Sequence, residues 1–169
     1  APVLRGYPPS TTHLITSLCE RAGPGANTQG DITALFSVLV AGSDMDEPIA
    51  DILRGVLDGH IVLDRAIAER GRFPAVDVLR SVSRSLPAAA DGRENTLLSL
   101  CRKMLSLYDA NAMMIRAGLY THGSDPDIDK AILLYPEIED FLAKEEPEDA
   151  QRSFSQLELI LRRVGLSAG

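Results

Sequence analysis

A chain of 169 residues, 45% of them hydrophobic, is long enough to bury one good core, and no apolar run in it approaches the ~20 residues of a membrane span. A net charge of −7 that is spread along the chain argues against general nucleic-acid binding, which needs a basic face. The two cysteines and three histidines are scattered without ligand spacing, so we expect buried, reduced thiols and no metal site.

The first half of the chain predicts part of an α/β sheet. It opens on Ala1-Pro2, without a methionine or an apolar signal core, which favours a piece cut from a longer protein and indicates no secretion signal. In chain order we expect a helix at 11–21, a glycine-rich loop at 23–30, a buried strand at 32–40, a helix at 49–57, a buried strand at 59–63 and a helix at 65–69. Strand, crossover helix and strand make one parallel unit, so we expect the rest of the sheet in sequence outside this chain or in another chain.

The second half predicts helices only, after a linker of small residues at 88–92. Its apolar residues recur every three or four positions, as they do in amphipathic helices. The expected elements are a long helix over 97–115, a helix that starts at Asp125-Pro126, another that starts at Tyr135-Pro136, and a last helix over 154–164.

The chain lacks the usual cradle for nucleotide phosphates. The predicted strand ends in Val40-Ala41-Gly42-Ser43-Asp44, which is similar to a magnesium-binding Walker B strand, but many parallel strands end in Gly and Asp. A phosphate-binding loop needs Gly-x-x-x-x-Gly-Lys-Ser/Thr, and none of the lysines, Lys103, Lys130 and Lys144, follows a glycine. We therefore expect the chain by itself to be inactive as an ATPase and to hold no tightly bound nucleotide.

The segment at 71–84 follows a predicted strand and a short helix, a place where loops of α/β folds collect functional residues. Taken alone, Arg84 after a serine-rich turn is typical of a surface residue. Phe73 before a proline is equally typical of core or turn packing. Composition does not raise either residue above that interpretation.

A series of sequence blocks in one order carries more information than any single residue. The blocks are RGYPPS at 5–10, GDITA at 30–34, VLV at 38–40, EPIAD at 47–51, LDGHIVL at 57–63, AERG at 68–71, FPAVDVL at 73–79, SVSR at 81–84, GSDP at 123–126 and DKAI at 129–132. In these blocks the chain resembles the export ATPases of flagella and injectisomes, relatives of the rotary ATP synthase catalytic subunits. Departures are mild: Ser43-Asp44 stands where two acidic residues are common, and Phe36 replaces a commoner choice.

The resemblance implies roles for three residues. Family members form homohexamers that hydrolyse ATP with Mg²⁺ at subunit interfaces, and the phosphate loop, catalytic carboxylate and Walker B aspartate would precede Ala1. Arg84 is implied to be the arginine finger, whose planar cation neutralises charge on the phosphoryl group held by the neighbouring subunit. Phe73 is implied to stack on the adenine, and Tyr120 to lie in a helical-domain segment that approaches it.

The resemblance also implies the architecture and the partners. Residues 1–90 would be the C-terminal part of a RecA-like α/β domain, and residues 91–169 a small all-helical domain. The complete protein would couple ATP hydrolysis to type III export of flagellar proteins, in the cytoplasm at the inner-membrane export apparatus. Implied partners are further copies of itself, an export regulator, a stalk protein and chaperone–substrate complexes, without nucleic acid.

Two alternatives stay open. Non-catalytic subunits of rotary ATPases share the Ser-x-Ser-Arg turn, so the chain could belong to a non-catalytic hexamer subunit or a protein-binding module of the same fold. The phosphate loop and activating glutamate expected upstream would decide between these and the enzyme. An injectisome secretion ATPase is the other alternative, although the glycines at 23–25 and the sequence at 30–33 favour a flagellar member.

Overall fold

The computed structural model describes residues 7–8, 10–26, 29–40 and 47–168. The chain divides into two compact units, Ala1–His60 and Ile61–Gly169. The elements of the described residues are α1 (Ser10–Cys19), α2 (Pro48–Val56), β1 (Gly59–Leu63), α3 (Arg65–Glu69), β2 (Val76–Ser83), α4 (Gly92–Arg116), α5 (Pro126–Ala143) and α6 (Ala150–Arg162).

In the first unit, α1 and α2 pack against each other. α2 begins at Pro48, where the missing N–H of proline is not needed because first-turn N–H groups have no partner within the helix. Ala50 and Leu53 are the buried residues of α2. Both helices confirm the sequence prediction to within two residues at each end.

The strand predicted at 32–40 is wrong. The backbone of residues 33–40 forms no strand. Ile32 takes part in an isolated antiparallel bridge with Gly23, in which the two residues exchange N–H···O hydrogen bonds of 2.9 Å. The pairing is therefore neither parallel nor extended into a sheet.

Beyond the bridge at Ile32, residues 33–40 pair with no strand of the described residues, and most of them are exposed. Leu35 is 92% exposed and Leu39 is 98% exposed. A strand is stable only when other strands take up its backbone hydrogen bonds and another layer covers its apolar face, which explains the failed prediction. The Walker B-like end at 41–44 lies outside the described residues, as does the start of the block at 5–10.

β1 and β2 form a two-stranded sheet, and α3 lies between them in the sequence. β1 and α3 begin and end at the residues predicted from the sequence. Asp64 caps α3, because its carboxylate accepts hydrogen bonds from the backbone N–H groups of Ala66 and Ile67. β2 has no counterpart among the sequence predictions, which place 71–84 only where loops of α/β folds collect functional residues.

The helices α4, α5 and α6 pack around one apolar core, which confirms the all-helical prediction for this part of the chain. An aspartate caps each helix, since Asp91, Asp125 and Asp149 accept hydrogen bonds from N–H groups of the first turn. A cap of this kind contributes about 1 kcal/mol. The buried core residues are Leu97, Cys101, Met104, Leu105, Ala131, Leu134, Ile138, Leu157 and Leu161.

The helix start predicted at Tyr135-Pro136 is wrong, because α5 runs through both residues. A proline inside a helix removes one backbone hydrogen bond and costs about 3 kcal/mol. Burial of Leu134 and Ile138 on the core face opposes that cost. The ring of Tyr135 also stacks on Tyr108 of α4, with centroids 3.7 Å apart and planes inclined by 11°.

Both cysteines are free and buried, as predicted. Burial raises the pKa of the Cys101 thiol to about 11, so the thiol is neutral at physiological pH. The helices in the described part of the chain are all too short or too polar to cross a bilayer.

Candidate functional site

β2 separates the two residues that the sequence analysis placed nearest to the chemistry. Phe73 precedes the strand in the Phe73–Pro74 turn, whose peptide bond is cis, and Arg84 follows directly after its last residue. The Phe73 side chain is 62% exposed and Arg84 is also exposed. Phe73 therefore lies before one end of β2 and Arg84 after the other, with the eight residues of the strand between them.

Arg72 holds the backbone just after Phe73. Its side chain is only 8% exposed, and its terminal nitrogens donate to the carbonyls of Pro74 and Val76 over 3.0 and 2.9 Å. Its Nε donates to Glu139 on α5 over 3.1 Å. The exposed aromatic ring is therefore carried by a loop whose backbone is fixed from behind by a buried guanidinium.

Arg102 holds the other half of β2. This α4 residue donates to the carbonyls of Val78 and Leu79 over 2.7 and 3.0 Å, and to the Ser81 carbonyl at 3.4 Å. Val78 and Leu79 also pack on the core of the helical bundle. The strand that leads to Arg84 is thus attached to α4 by both polar and apolar contacts.

A local turn interrupts the regular pattern of β2. The Asp77 carboxylate accepts hydrogen bonds from the N–H groups of Leu79 and Arg80 over 3.0 and 3.1 Å. The Ser81 hydroxyl donates to the Asp77 carbonyl over 2.6 Å and accepts from the N–H of Val62 in β1 over 3.0 Å. Side chains therefore satisfy backbone groups that a regular ladder would pair.

Tyr120 lies elsewhere, in the connection between α4 and α5. Its hydroxyl donates to the Asp129 carboxylate over 2.8 Å and lies 3.0 Å from the Asp125 carbonyl. Burial raises the pKa of Asp129, but hydrogen bonds from Tyr120 and Gly123, together with nearby His122, outweigh it and hold that pKa below its usual value. These contacts assign the hydroxyl to ordering of the connection.

A cavity of about 220 Å³ lies beside the Arg72–Glu139 pair. Its lining comes from the α3–β2 region and from α4 and α5, and includes Ile67, Val78 and Tyr135. Phe73, Arg84 and Tyr120 do not line it. At this volume it is smaller than the ~300–1,000 Å³ of ordinary small-molecule sites, so it is not a ready-made nucleotide pocket.

Sequence reasoning missed Arg72, Arg102 and Glu139. An arginine between a glycine and an aromatic residue, or an arginine or glutamate on an amphipathic helix, gives no signal that distinguishes a buried anchor from a solvated side chain. Their partners are mostly backbone carbonyls, which every residue carries. The Arg72–Glu139 pair and the bonds from Arg102 to β2 join residues far apart in the sequence, so they depend on the tertiary arrangement.

Two family models match most of the chain. The ATP synthase alpha/beta family, nucleotide-binding domain, matches residues 1–83, and the T3SS EscN ATPase C-terminal domain matches residues 92–159. The chain belongs to the ATP synthase alpha/beta family. The fold class is confirmed: the chain is the C-terminal part of an α/β domain followed by a helical domain.

The relatives show how much of such a protein is present. The flagellum-specific ATP synthase of Caulobacter vibrioides is 48% identical over 168 residues, which cover 95% of this chain and 38% of that protein. The SPI-2 type 3 secretion system ATPase of Salmonella typhimurium is 46% identical over 142 residues, which cover 84% of this chain and 32% of that protein. The chain spans well under half the length of these relatives.

The solved structures agree. The assembled ATPase EscN of the enteropathogenic E. coli type III secretion system superposes with a TM-score of 0.85 at 35% identity, over 92% of this chain and 38% of EscN. EscN in complex with its central stalk EscO superposes with a TM-score of 0.78, at 35% identity and over 92% of this chain and 37% of EscN.

Proposed function

We propose that this chain is part of a homohexameric ATPase that couples ATP hydrolysis to type III export of flagellar proteins. The observation that carries the proposal is the placement of Phe73 and Arg84: both are exposed, and they flank one strand that buried or packed groups of the same unit hold in place. Exposed residues on a fixed support suit contact with a ligand or a neighbouring subunit.

The separation of the two residues supports a division of labour between subunits. Because Phe73 and Arg84 lie at opposite ends of β2, the two residues of one chain would serve different nucleotides. Phe73 would stack on the adenine bound to its own subunit, and Arg84 would reach the phosphates bound to the next subunit. Such an arginine stabilises charge that grows as the phosphoryl group transfers.

The other components of the site would come from the complete protein. ATP and Mg²⁺ would be bound by a phosphate loop and acidic residues that this sequence does not contain. Tyr120 is proposed to contribute its ring to the adenine side, while its hydroxyl orders the α4–α5 connection. We keep the division into a RecA-like part at 1–90 and a helical domain at 91–169, which lies between the two family matches.

The partners follow from the relatives. EscN assembles and binds a central stalk, so self-association and a stalk partner are proposed for the complete protein. An export regulator and chaperone–substrate complexes are proposed as further partners, and the inner-membrane export apparatus in the cytoplasm as the place of work. The flagellar system is preferred to the injectisome because the glycines at 23–25 and the sequence at 30–33 favour a flagellar member, and because the Caulobacter relative is 48% identical, against 46% for the SPI-2 protein and 35% for EscN.

A mixed-hexamer experiment tests the role of Arg84. Complete subunits with Arg84→Ala are combined with subunits that are disabled in the phosphate loop but keep Arg84. In a mixed hexamer some interfaces join an intact loop to an intact arginine, so partial recovery of ATP hydrolysis is expected. Mixed hexamers that form and recover no activity would contradict action across the interface.

A further inference from the structure

The Phe73 loop is bound to the helical bundle through one buried guanidinium. Nε of Arg72 donates to Glu139 on α5, while the terminal nitrogens donate to the carbonyls of Pro74 and Val76. We propose that Arg72 and Glu139 are a positioning pair through which α5 sets the orientation of Phe73 and hence the affinity for the nucleotide base. The inference rests on the proposed adenine contact of Phe73.

The geometry makes the connection stiff. All three hydrogen bonds are donated by the planar guanidinium of Arg72. A displacement of Glu139 therefore tilts the same plane that holds the carbonyls of Pro74 and Val76. The carbonyl between them, that of Ala75, accepts from the N–H of Asp64 over 2.9 Å. Three successive carbonyls after Phe73 are therefore held, and the exposed ring projects from a backbone with little freedom.

Beside the Arg72–Glu139 pair, hydrogen bonds connect α5 to the Phe73 loop more directly than packing does. The cavity of about 220 Å³ borders both Arg72 and Glu139, so close packing is incomplete beside the pair. Dense packing would transmit movement through many contacts at once, whereas here a shift of α5 reaches the loop through the guanidinium. Stability alone is a weak reason for the pair, since apolar side chains of similar volume stabilise a buried position as well.

The test measures steady-state ATP hydrolysis by the complete ATPase. Arg72→Lys keeps a positive charge near Glu139 but cannot form the planar set of three bonds. We expect KM for ATP to rise on the order of 10-fold while kcat hardly changes, because base stacking is made equally in the ground and transition states. Glu139→Gln removes the charge and should raise KM in the same direction by a smaller factor.

A matched control lies two residues along the same helix. Glu137 pairs with Arg163 over 2.6 Å on the surface, away from the loop. Glu137→Gln should therefore leave KM and kcat as they are. A rise in KM equal to that of Glu139→Gln would show a general effect of charge on α5 and would overturn the pairing.

A double variant separates positioning from a purely structural role. Phe73→Ala should raise KM, and in that background Arg72→Lys should raise it no further, because the pair acts through the missing ring. Additive increases in the double variant would overturn the proposal. If the Arg72→Lys variant does not assemble, the same comparison is made with Glu139→Gln. In the Phe73→Ala background this change should not raise KM further.

The variants also distinguish this inference from the proposed function. If Phe73→Ala leaves KM unchanged in a folded enzyme, the adenine contact is wrong and the positioning pair falls with it. If Phe73→Ala raises KM while folded Arg72→Lys and Glu139→Gln both match the wild-type value, only the positioning pair is overturned.

Discussion

The strand β2 and the bundle of α4, α5 and α6 are held together by different forces. The bundle has a core in which Leu97, Ile138 and Leu161 are 0% exposed. β2 is only partly buried: Val78 and Leu79 pack on the bundle core, and Arg72 and Arg102 donate hydrogen bonds to carbonyls of the strand and its flank. The bundle thus buries its apolar side chains among themselves. Phe73 and Arg84, at the two ends of β2, are exposed to solvent. Changes at the site should alter catalysis with little loss of stability, and changes in the bundle should do the reverse.

The purified chain alone gives the largest contrast. We expect no ATP turnover above background with Mg²⁺, because no phosphate loop is present in the sequence. The bundle should nevertheless unfold in a cooperative transition, followed by circular dichroism. Turnover near that of a complete enzyme, if it survived repurification, would contradict the assignment.

Arg84→Ala in the complete enzyme should lower kcat on the order of 10³-fold or more, since the lost cation stabilises transition-state charge. Nucleotide binding and the melting temperature should change little, because Arg84 is exposed. Lysine at this position should restore little activity, since an ammonium does not reproduce the planar fork. Wild-type turnover by the alanine variant would make Arg84 an ordinary surface residue.

Ile138→Ala tests the opposite side of the comparison. This residue is fully buried in the bundle, so truncation should lower the free energy of unfolding by about 2–5 kcal/mol, measured by chemical denaturation. The exposed Leu133 on the same helix is the control, and Leu133→Ala should cost far less. Equal losses would mean that the bundle has no self-contained core around Ile138.

Phe73→Ala should weaken nucleotide binding by about 1–3 kcal/mol, the range for an aromatic side chain stacked on a base. Because the ring is 62% exposed, the melting temperature should stay close to wild type. Affinity is measured with a fluorescent nucleotide on the complete enzyme. A variant that melts early, with unchanged affinity once folded, would make Phe73 a packing residue.

Tyr120→Phe should have the smallest effect, a small loss in the free energy of unfolding through the lost hydrogen bond to Asp129. The folded-state pKa of Asp129 is depressed, so its contribution is present above an unfolded pKa of about 4 and is lost as pH falls through the folded value. The variant should therefore lose less stability on acidification than wild type. Tyr120→Ala, but not Tyr120→Phe, should weaken nucleotide binding if the ring contacts the adenine.

Local sequence signals and the order of the sequence blocks predicted several elements, the family and the fold class of this protein. The aspartate cap at Asp125, the apolar spacing of the bundle, and the ends of β1 and α3 depend on neighbours within a few residues, so they could be predicted. The family and the fold class followed from blocks in register, and the comparisons confirm both. The roles of Phe73, Arg84 and Tyr120 stay predictions, because they depend on a nucleotide and on a second subunit.

Only the tertiary structure decided the rest. Whether residues 32–40 form a strand depends on partners and cover, and the apolar pattern is the same with or without them. Pro136 stays inside α5 because one lost hydrogen bond is outweighed by burial of its neighbours on the core face. The Arg72–Glu139 pair and the hydrogen bonds from Arg102 to three carbonyls of β2 join residues 21 to 67 positions apart. No local pattern in a sequence encodes such contacts, since a carbonyl becomes a partner only when the fold brings it within reach.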